Sequence, residues 1–92
     1  PWNYPLLMPI GELVMGVLAG NAVIFKPSEI TPLIGIEIQK LFEDAGFPKG
    51  LVTTVIGDGK LGAAIIENRP AKIFFTGSVA TGKRIMRAAS EY

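Results

Sequence analysis

Phe74-Phe75-Thr76-Gly77-Ser78-Val79-Ala80-Thr81-Gly82 is the stretch from which the fold is read. The short apolar run Ile73-Phe74-Phe75 has the character of a buried strand, and Thr76-Gly77 breaks it. Ser78 is then placed to cap a helix that runs from Val79 towards Ser90, with Ile85, Met86 and Ala89 on one face. A strand that turns at a glycine into a helix start presents free backbone N–H groups, which is the geometry of a phosphate site. The first turn, Val79 to Gly82, carries no Asp or Glu, although helix starts favour them. Lys83, Arg84 and Arg87 add positive charge further along. Two readings fit these residues: an ordinary strand–turn–helix with a serine cap, and an anion cradle.

Upstream, the pattern alternates between helix and strand. Pro1 to Pro5 opposes helix, because prolines fix φ and restrict the residues before them. Within it Trp2 suits core packing, and Asn3 suits a turn or a helix cap. Pro9 to Ala19 reads as a helix with Ile10, Leu13, Val14, Val17 and Leu18 as its apolar stripe, ended by Gly20-Asn21. Glu12 sits near its start, where the helix dipole favours a carboxylate. Ala22-Val23-Ile24-Phe25 is a continuous apolar run, as expected for a strand covered on both faces.

That strand ends in Lys26-Pro27-Ser28-Glu29. Ligands of open α/β sheets bind beyond the carboxyl ends of strands. Lys26 can reach a ribose hydroxyl or a phosphate there, and Glu29 can accept two ribose hydroxyls. The alternative is a solvated Lys/Glu pair in a loop. Thr31 is placed to cap a second helix, with Pro32 in its first turn. Ile34, Ile38, Leu41, Phe42 and Ala45 mark its buried face, and Glu37, Gln39, Lys40, Glu43 and Asp44 its wet face. Gly46 and Pro48 end it.

Leu51 to Ile56 is rich in β-branched residues and reads as the second strand. Gly57-Asp58-Gly59 is either a turn that caps the next helix or backbone kept low so that a flat ring can lie nearby. Lys60 to Glu67 is a short helix with Leu61, Ala64 and Ile65 inward, and Asn68-Arg69-Pro70 ends it. The order is helix, then strand–helix–strand–helix–strand–helix. Crossovers of this length predict an α/β fold with a parallel sheet of Rossmann type, incomplete in this chain. They also predict that Lys26–Glu29, Gly57–Gly59 and Thr76–Ser78 gather at one sheet edge. The usual dinucleotide fingerprint puts the glycine loop first and an acid about 20 residues later. Here the candidate ribose acid, Glu29, precedes the glycine turn.

Composition narrows the choices. A chain of 92 residues is one small domain or part of one. With 49% hydrophobic residues it is too apolar for disorder and rich for a small isolated domain, so further chain is expected to cover the excess. A net charge of +1 supplies no basic field for nucleic acid. No cysteine or histidine is present, which removes disulfides, thiolate metal sites, the commonest metal ligand and the usual near-neutral acid–base group. No metal site is expected. Leu6–Phe25 carries only Glu12 as a charge, and a spanning helix needs about 20 apolar residues. Pro9, Gly11, Gly16 and Gly20-Asn21 interrupt that run, which favours a buried helix followed by a buried strand. The opening Pro1-Trp2-Asn3 and the closing Ser90-Glu91-Tyr92 give both ends the look of a fragment.

Pro1-Trp2-Asn3-Tyr4-Pro5, Ala19-Gly20-Asn21, Lys26-Pro27-Ser28-Glu29-Ile30-Thr31-Pro32, Ala45-Gly46-Phe47-Pro48-Lys49-Gly50 and Phe75-Thr76-Gly77-Ser78 together resemble successive blocks of the aldehyde dehydrogenase superfamily. The resemblance covers essentially the whole chain. It implies that residues 1–92 are part of an NAD(P)-binding domain, with catalytic and oligomerisation parts elsewhere. It implies oxidation of an aldehyde to a carboxylic acid through a cysteine thiohemiacetal and thioester, in a cytoplasmic homodimer or homotetramer. Asn3 falls at the asparagine that helps hold the oxyanion, a fit task for a neutral N–H donor. Trp2 falls beside the cofactor, and Lys26 and Glu29 at the pair holding the adenosine ribose, with Ser28 close by. Gly59 falls by the adenine, and Ser78, after Gly77, at the pyrophosphate. Gly82 falls at the second glycine of the family's turn, and Thr81 at an adenine-facing residue. The nucleophilic cysteine and the glutamate base of the family have no counterpart in this chain. The alternative is a non-catalytic nucleotide-binding module or degenerate relative. Glu29 favours NAD over NADP, because a carboxylate repels a 2′-phosphate; Lys26 and Ser28 leave NADP open.

Overall fold

Leu7–Leu18 forms the first helix, α1. The computed structural model describes residues 1–92, which divide into two compact units, Pro1–Ile56 and Gly57–Tyr92. Helix α1 begins two residues earlier than its proline suggests. Pro9 is tolerated there because the first N–H groups of a helix have no intrahelical acceptor. The helix closes in a Schellman arrangement around Gly20, whose φ is +88°. The Gly20 N–H donates to the Val17 carbonyl at 3.0 Å and the Asn21 N–H to the Gly16 carbonyl at 3.1 Å.

Strand β1, Val23–Phe25, pairs in parallel with strand β2, Val52–Thr54. Val23 lies opposite Val52, Ile24 opposite Thr53 and Phe25 opposite Thr54. Between them runs α2, Pro32–Asp44, with proline at its start. The end of α2 repeats the first arrangement. Gly46, with φ of +95°, donates to Glu43, and Phe47 donates to Phe42. The rings of Phe42 and Phe47 then meet at 5.5 Å, the apolar contact that accompanies this kind of helix end.

Leu13, Ile38, Phe42 and Val52 form the core of this unit, with Ile10, Val17, Val23 and Phe25 packed against it. Alternation along a strand puts Val23, Phe25 and Val52 on the same sheet face. Both α1 and α2 therefore cover that face. Ile24 lies on the other and is 61% exposed, so β1 is covered by this unit on one face and not on both. Of the face expected for α2, Ile38 and Phe42 are buried, whereas Leu41 is 55% exposed. Gly35 is buried instead, because a helix crossing Pro27 and Thr54 this closely has no room for a side chain there.

Three local expectations are corrected. Thr31 precedes α2, but its side chain caps nothing. Its ψ of 54° is not the extended value of a capping residue, and its hydroxyl oxygen is buried without a partner. Gln39 is not part of a wet face. Its Oε1 accepts the Thr54 N–H at 2.6 Å, and its Nε2 donates to Glu43 at 3.0 Å. The third correction concerns the run expected as a third strand.

The second unit holds α3, Gly59–Glu67, and α4, Val79–Ala89, which pack on each other. Asp58 caps α3 by accepting the Lys60 N–H at 2.9 Å. Ile73–Phe75 lies between the helices and forms no ladder; Phe74 is 53% and Phe75 42% exposed. A strand exists through its cross-strand hydrogen bonds, and residues 57–92 contain no other strand to supply them. Tyr92 ties the end of this unit back to the segment after α3, its hydroxyl donating to the Pro70 carbonyl at 3.4 Å. No helix is long and apolar enough to cross a membrane. The architecture is thus α/β with a parallel pair joined through a helix, an incomplete piece of a Rossmann-type arrangement.

Candidate cofactor site

Lys26 leaves the end of β1 and is held by the loop residues next to it. Its Nζ donates to the Pro27 carbonyl at 3.2 Å and stands 3.9 Å from Glu29 Oε2. The lysine side chain is 19% exposed and that of Glu29 63%. A contact this long and this wet adds little to stability. It does keep a cation and a carboxylate side by side, a donor and an acceptor suited to neighbouring hydroxyls. Pro27 is buried beneath them, against Gly35. Ser28 is occupied by the turn: its Oγ accepts the Ile30 N–H at 3.2 Å and its carbonyl the Thr31 N–H at 3.1 Å. Gly35 and Pro27 set the height of this loop. The signal for them in the sequence was a glycine inside a helical pattern, which marks close backbone approach.

Trp2 and Asn3 lie in the turn before α1, in the same unit, and both are exposed. Trp2 is 61% exposed and is not part of the unit's core. Core packing for Trp2 is thereby corrected: the apolar positions nearest the sheet are taken by α1.

In the second unit Ser78 does cap α4. Its Oγ accepts the Thr81 N–H at 3.2 Å and lies 3.0 Å from Thr81 Oγ1. The Gly82 N–H makes the first helical bond, to the Ser78 carbonyl, at 2.9 Å. The N–H groups of Val79 and Ala80 remain for an acceptor outside the helix. Arg84 Nη2 donates to Thr81 Oγ1 at 3.1 Å, so a guanidinium stands at the positive end of the helix dipole. No acidic residue in the first turn balances it. Two free donors, an uncompensated dipole and a fixed cation together suit a phosphate.

Gly57 and Gly59 separate into two roles. A Cβ on Gly57 would lie 2.6 Å from Leu61, whereas one on Gly59 would meet nothing within 4 Å. Packing of α3 explains the first glycine. Nothing within the unit requires the second, and Asp58 supplies the helix cap that one reading of this turn demands. Lys26–Glu29 belongs to the first unit and Gly59, Gly77, Ser78, Thr81 and Gly82 to the second.

The model of the aldehyde dehydrogenase family matches residues 1–92. The chain belongs to the aldehyde dehydrogenase family. It is 47% identical over 92 residues to 4,4'-diapolycopene aldehyde oxidase of Methylomonas sp, covering 100% of this chain and 17% of that protein. It is 48% identical over 92 residues to betaine aldehyde dehydrogenase of Bacillus subtilis, covering 98% of this chain and 19% of the relative. The chain thus spans less than a fifth of the length of these relatives. Its structure superposes on a bifunctional proline utilization A (PutA) protein with a TM-score of 0.95 at 40% identity, over 100% of this chain and 10% of that one. A mutant PutA from Bradyrhizobium japonicum matches with the same score and identity.

Proposed function

We propose that residues 1–92 are part of the NAD(P)-binding domain of an enzyme that oxidises an aldehyde to a carboxylic acid. The observation that carries this is the start of α4, with its serine cap, two free N–H groups and no acid, in a chain that matches the aldehyde dehydrogenase family throughout. In this reading the Val79 and Ala80 N–H groups and Ser78 take the pyrophosphate, as their charge and donor set suit. Lys26 and Glu29 take the adenosine ribose hydroxyls, and Glu29 makes NAD the preferred cofactor over NADP. Trp2 lies along the cofactor, and Gly59 and Thr81 face the adenine. The cofactor supplies the hydride acceptor.

Asn3 contributes to chemistry rather than to binding. Attack on the aldehyde carbon by a cysteine elsewhere in the protein turns the carbonyl into an oxyanion, and the Asn3 amide N–H stabilises that developing charge. The donor is neutral, so it favours the oxyanion without having to give up a proton. Cytoplasmic location and a homodimeric or homotetrameric state go with the same reading.

The test is made on the full-length protein. Titration with NAD+ is expected to show binding, and purified enzyme to reduce NAD+ in the presence of an aldehyde panel. Asn3→Ala is expected to lower kcat on the order of a hundredfold, as for other lost oxyanion donors. Its Kd for NAD+ should stay within about twofold, within the error of a remote contact. Equal losses in both would remove Asn3 from the oxyanion role. Binding without turnover on any aldehyde would leave a nucleotide-binding module. No binding at all would defeat the whole reading.

A further inference from the structure

Gly77 and Gly82 flank the serine that caps α4, and close approach of a phosphate is one reason for a glycine at each. The structure supplies a nearer one for Gly77. A Cβ built there would lie 2.6 Å from Cζ of Phe75, 3.2 Å from Cε2 and 3.3 Å from Cε1. The same ring reaches the helix: a Cβ on Gly82 would lie 3.6 Å from its Cε1 and 3.7 Å from its Cδ1. One aromatic ring therefore lies beside the turn before Ser78 and beside the first turn of α4 after it.

Backbone conformation does not call for glycine at either position. The glycines with positive φ are Gly20, Gly46 and Gly50. A side chain at Gly77 fits only if the Phe75 ring moves from where it lies. Nor is Phe75 a core residue of this unit, since it is 42% exposed and belongs to no strand. Its ring lies next to where a Cβ on either glycine would be. Between them lie Ser78 and the free N–H groups of Val79 and Ala80.

We infer that Phe75 is a positioning residue for the cofactor turn: its ring braces Gly77 and Gly82 together and so fixes the direction of the N–H groups that meet the phosphate. This rests on the cofactor reading proposed for the start of α4. The ring touches no phosphate itself. It acts through the turn, whose backbone, once the ring is shortened, samples more conformations and has to be ordered again when the cofactor binds.

The experiment is a double-mutant cycle in the full-length enzyme, read as Kd for NAD+ and as KM for NAD+ and for aldehyde. Phe75→Leu, which removes the far end of the ring, is expected to raise the Kd and KM for NAD+ about tenfold, the ratio set by re-ordering roughly one backbone residue. The KM for aldehyde is expected to stay unchanged. Phe75→Tyr keeps the ring and is expected to stay within about twofold of wild type. Gly77→Ala is expected to weaken NAD+ binding by about tenfold in the wild-type background, since its Cβ pushes the ring out of its place over the turn. In the Phe75→Leu background the same substitution is expected to cost less than about twofold.

An equal cost of Gly77→Ala in both backgrounds overturns the proposal and leaves the cofactor reading standing. Parallel rises in the two KM values, or loss of binding in Phe75→Tyr, overturn it as well. Thermal unfolding midpoints of the wild type and its variants are measured alongside. If Gly77→Ala does not fold, the NAD+ selectivity of the Phe75→Leu defect and its absence in Phe75→Tyr decide the matter. A wild-type enzyme that binds no NAD+ defeats the cofactor reading, and this proposal with it.

Discussion

Glu29 and Lys26 show how far a single residue's role follows from its neighbours. The pair is held by a bond from Lys26 to the Pro27 carbonyl, and the carboxylate is the wetter partner. In the proposed cofactor reading, a ribose would meet a carboxylate free to turn towards its hydroxyls. Glu29→Gln removes the charge that repels a 2′-phosphate and keeps the shape. We expect the ratio of kcat/KM for NADP+ to that for NAD+ to rise, by about tenfold if one charge–charge contact is lost. An unchanged ratio would take Glu29 out of cofactor discrimination. Thr31 presents the opposite case, a polar group whose bond is missing. Its hydroxyl oxygen is buried with no partner, and replacing such a group by a methyl of the same shape is close to neutral. Thr31→Val should leave the unfolding free energy within about 0.5 kcal/mol of wild type, or raise it. A loss beyond about 1 kcal/mol, as for a true helix cap, would contradict this.

At the scale of elements, the edge of β2 is closed by a side chain. Thr54 lies opposite Phe25 in a parallel ladder, and bonds to β1 pass through Leu51 and Val55 on either side. The Thr54 N–H points away from β1 and is taken by Gln39 of α2, while Thr54 Oγ1 donates to the Gly35 carbonyl at 2.7 Å. Helix and strand are thereby stitched by two bonds where α2 crosses β2 closely at Gly35. Gln39→Ala leaves the half-buried Thr54 donor without its acceptor. The expected cost is about 1–3 kcal/mol in equilibrium unfolding. A change under about 0.5 kcal/mol would show that water replaces the amide freely. Its polarity made Gln39 look solvated, although helical spacing sets it three residues from Phe42 and four from Gly35, at the border of the buried face. Its partner is 15 residues away in sequence, and no local pattern announces it.

For the whole molecule, apolar residues left in water are the dominant fact. Four side chains are buried hydrophobics, whereas Leu7, Met15, Leu18, Leu33, Val79 and Met86 are each at least 60% exposed. Isolated exposed apolar residues are ordinary, but exposure on this scale in so small a chain is a liability. The 92-residue chain expressed alone is expected to bind an apolar dye and to elute as an aggregate in size-exclusion chromatography. A monodisperse monomer with a sharp thermal transition would refute that expectation. The excess of apolar residues was legible in composition. Which of them would stay uncovered was not, because it depends on how many layers meet.

Local chemistry marked out the helices, the two strands and the capped start of α4, through apolar period, Gly-ended helices and a serine before an acid-free turn, and the length of the helical crossover between the strands set their parallel sense. The sequence by itself also determined the family, through blocks that no single spacing would have identified. Tertiary structure alone decided that Ile73–Phe75 would stay unpaired, that both α1 and α2 would cover one face of the sheet, and that Gln39 would serve a strand. It alone decided that Gly35 has no room for a side chain, because of Pro27 and Thr54. The physical reason is common to all of these: ladders, layers and steric exclusion are made between residues distant along the chain or turned back on it, and their outcome depends on which surfaces are present to be paired.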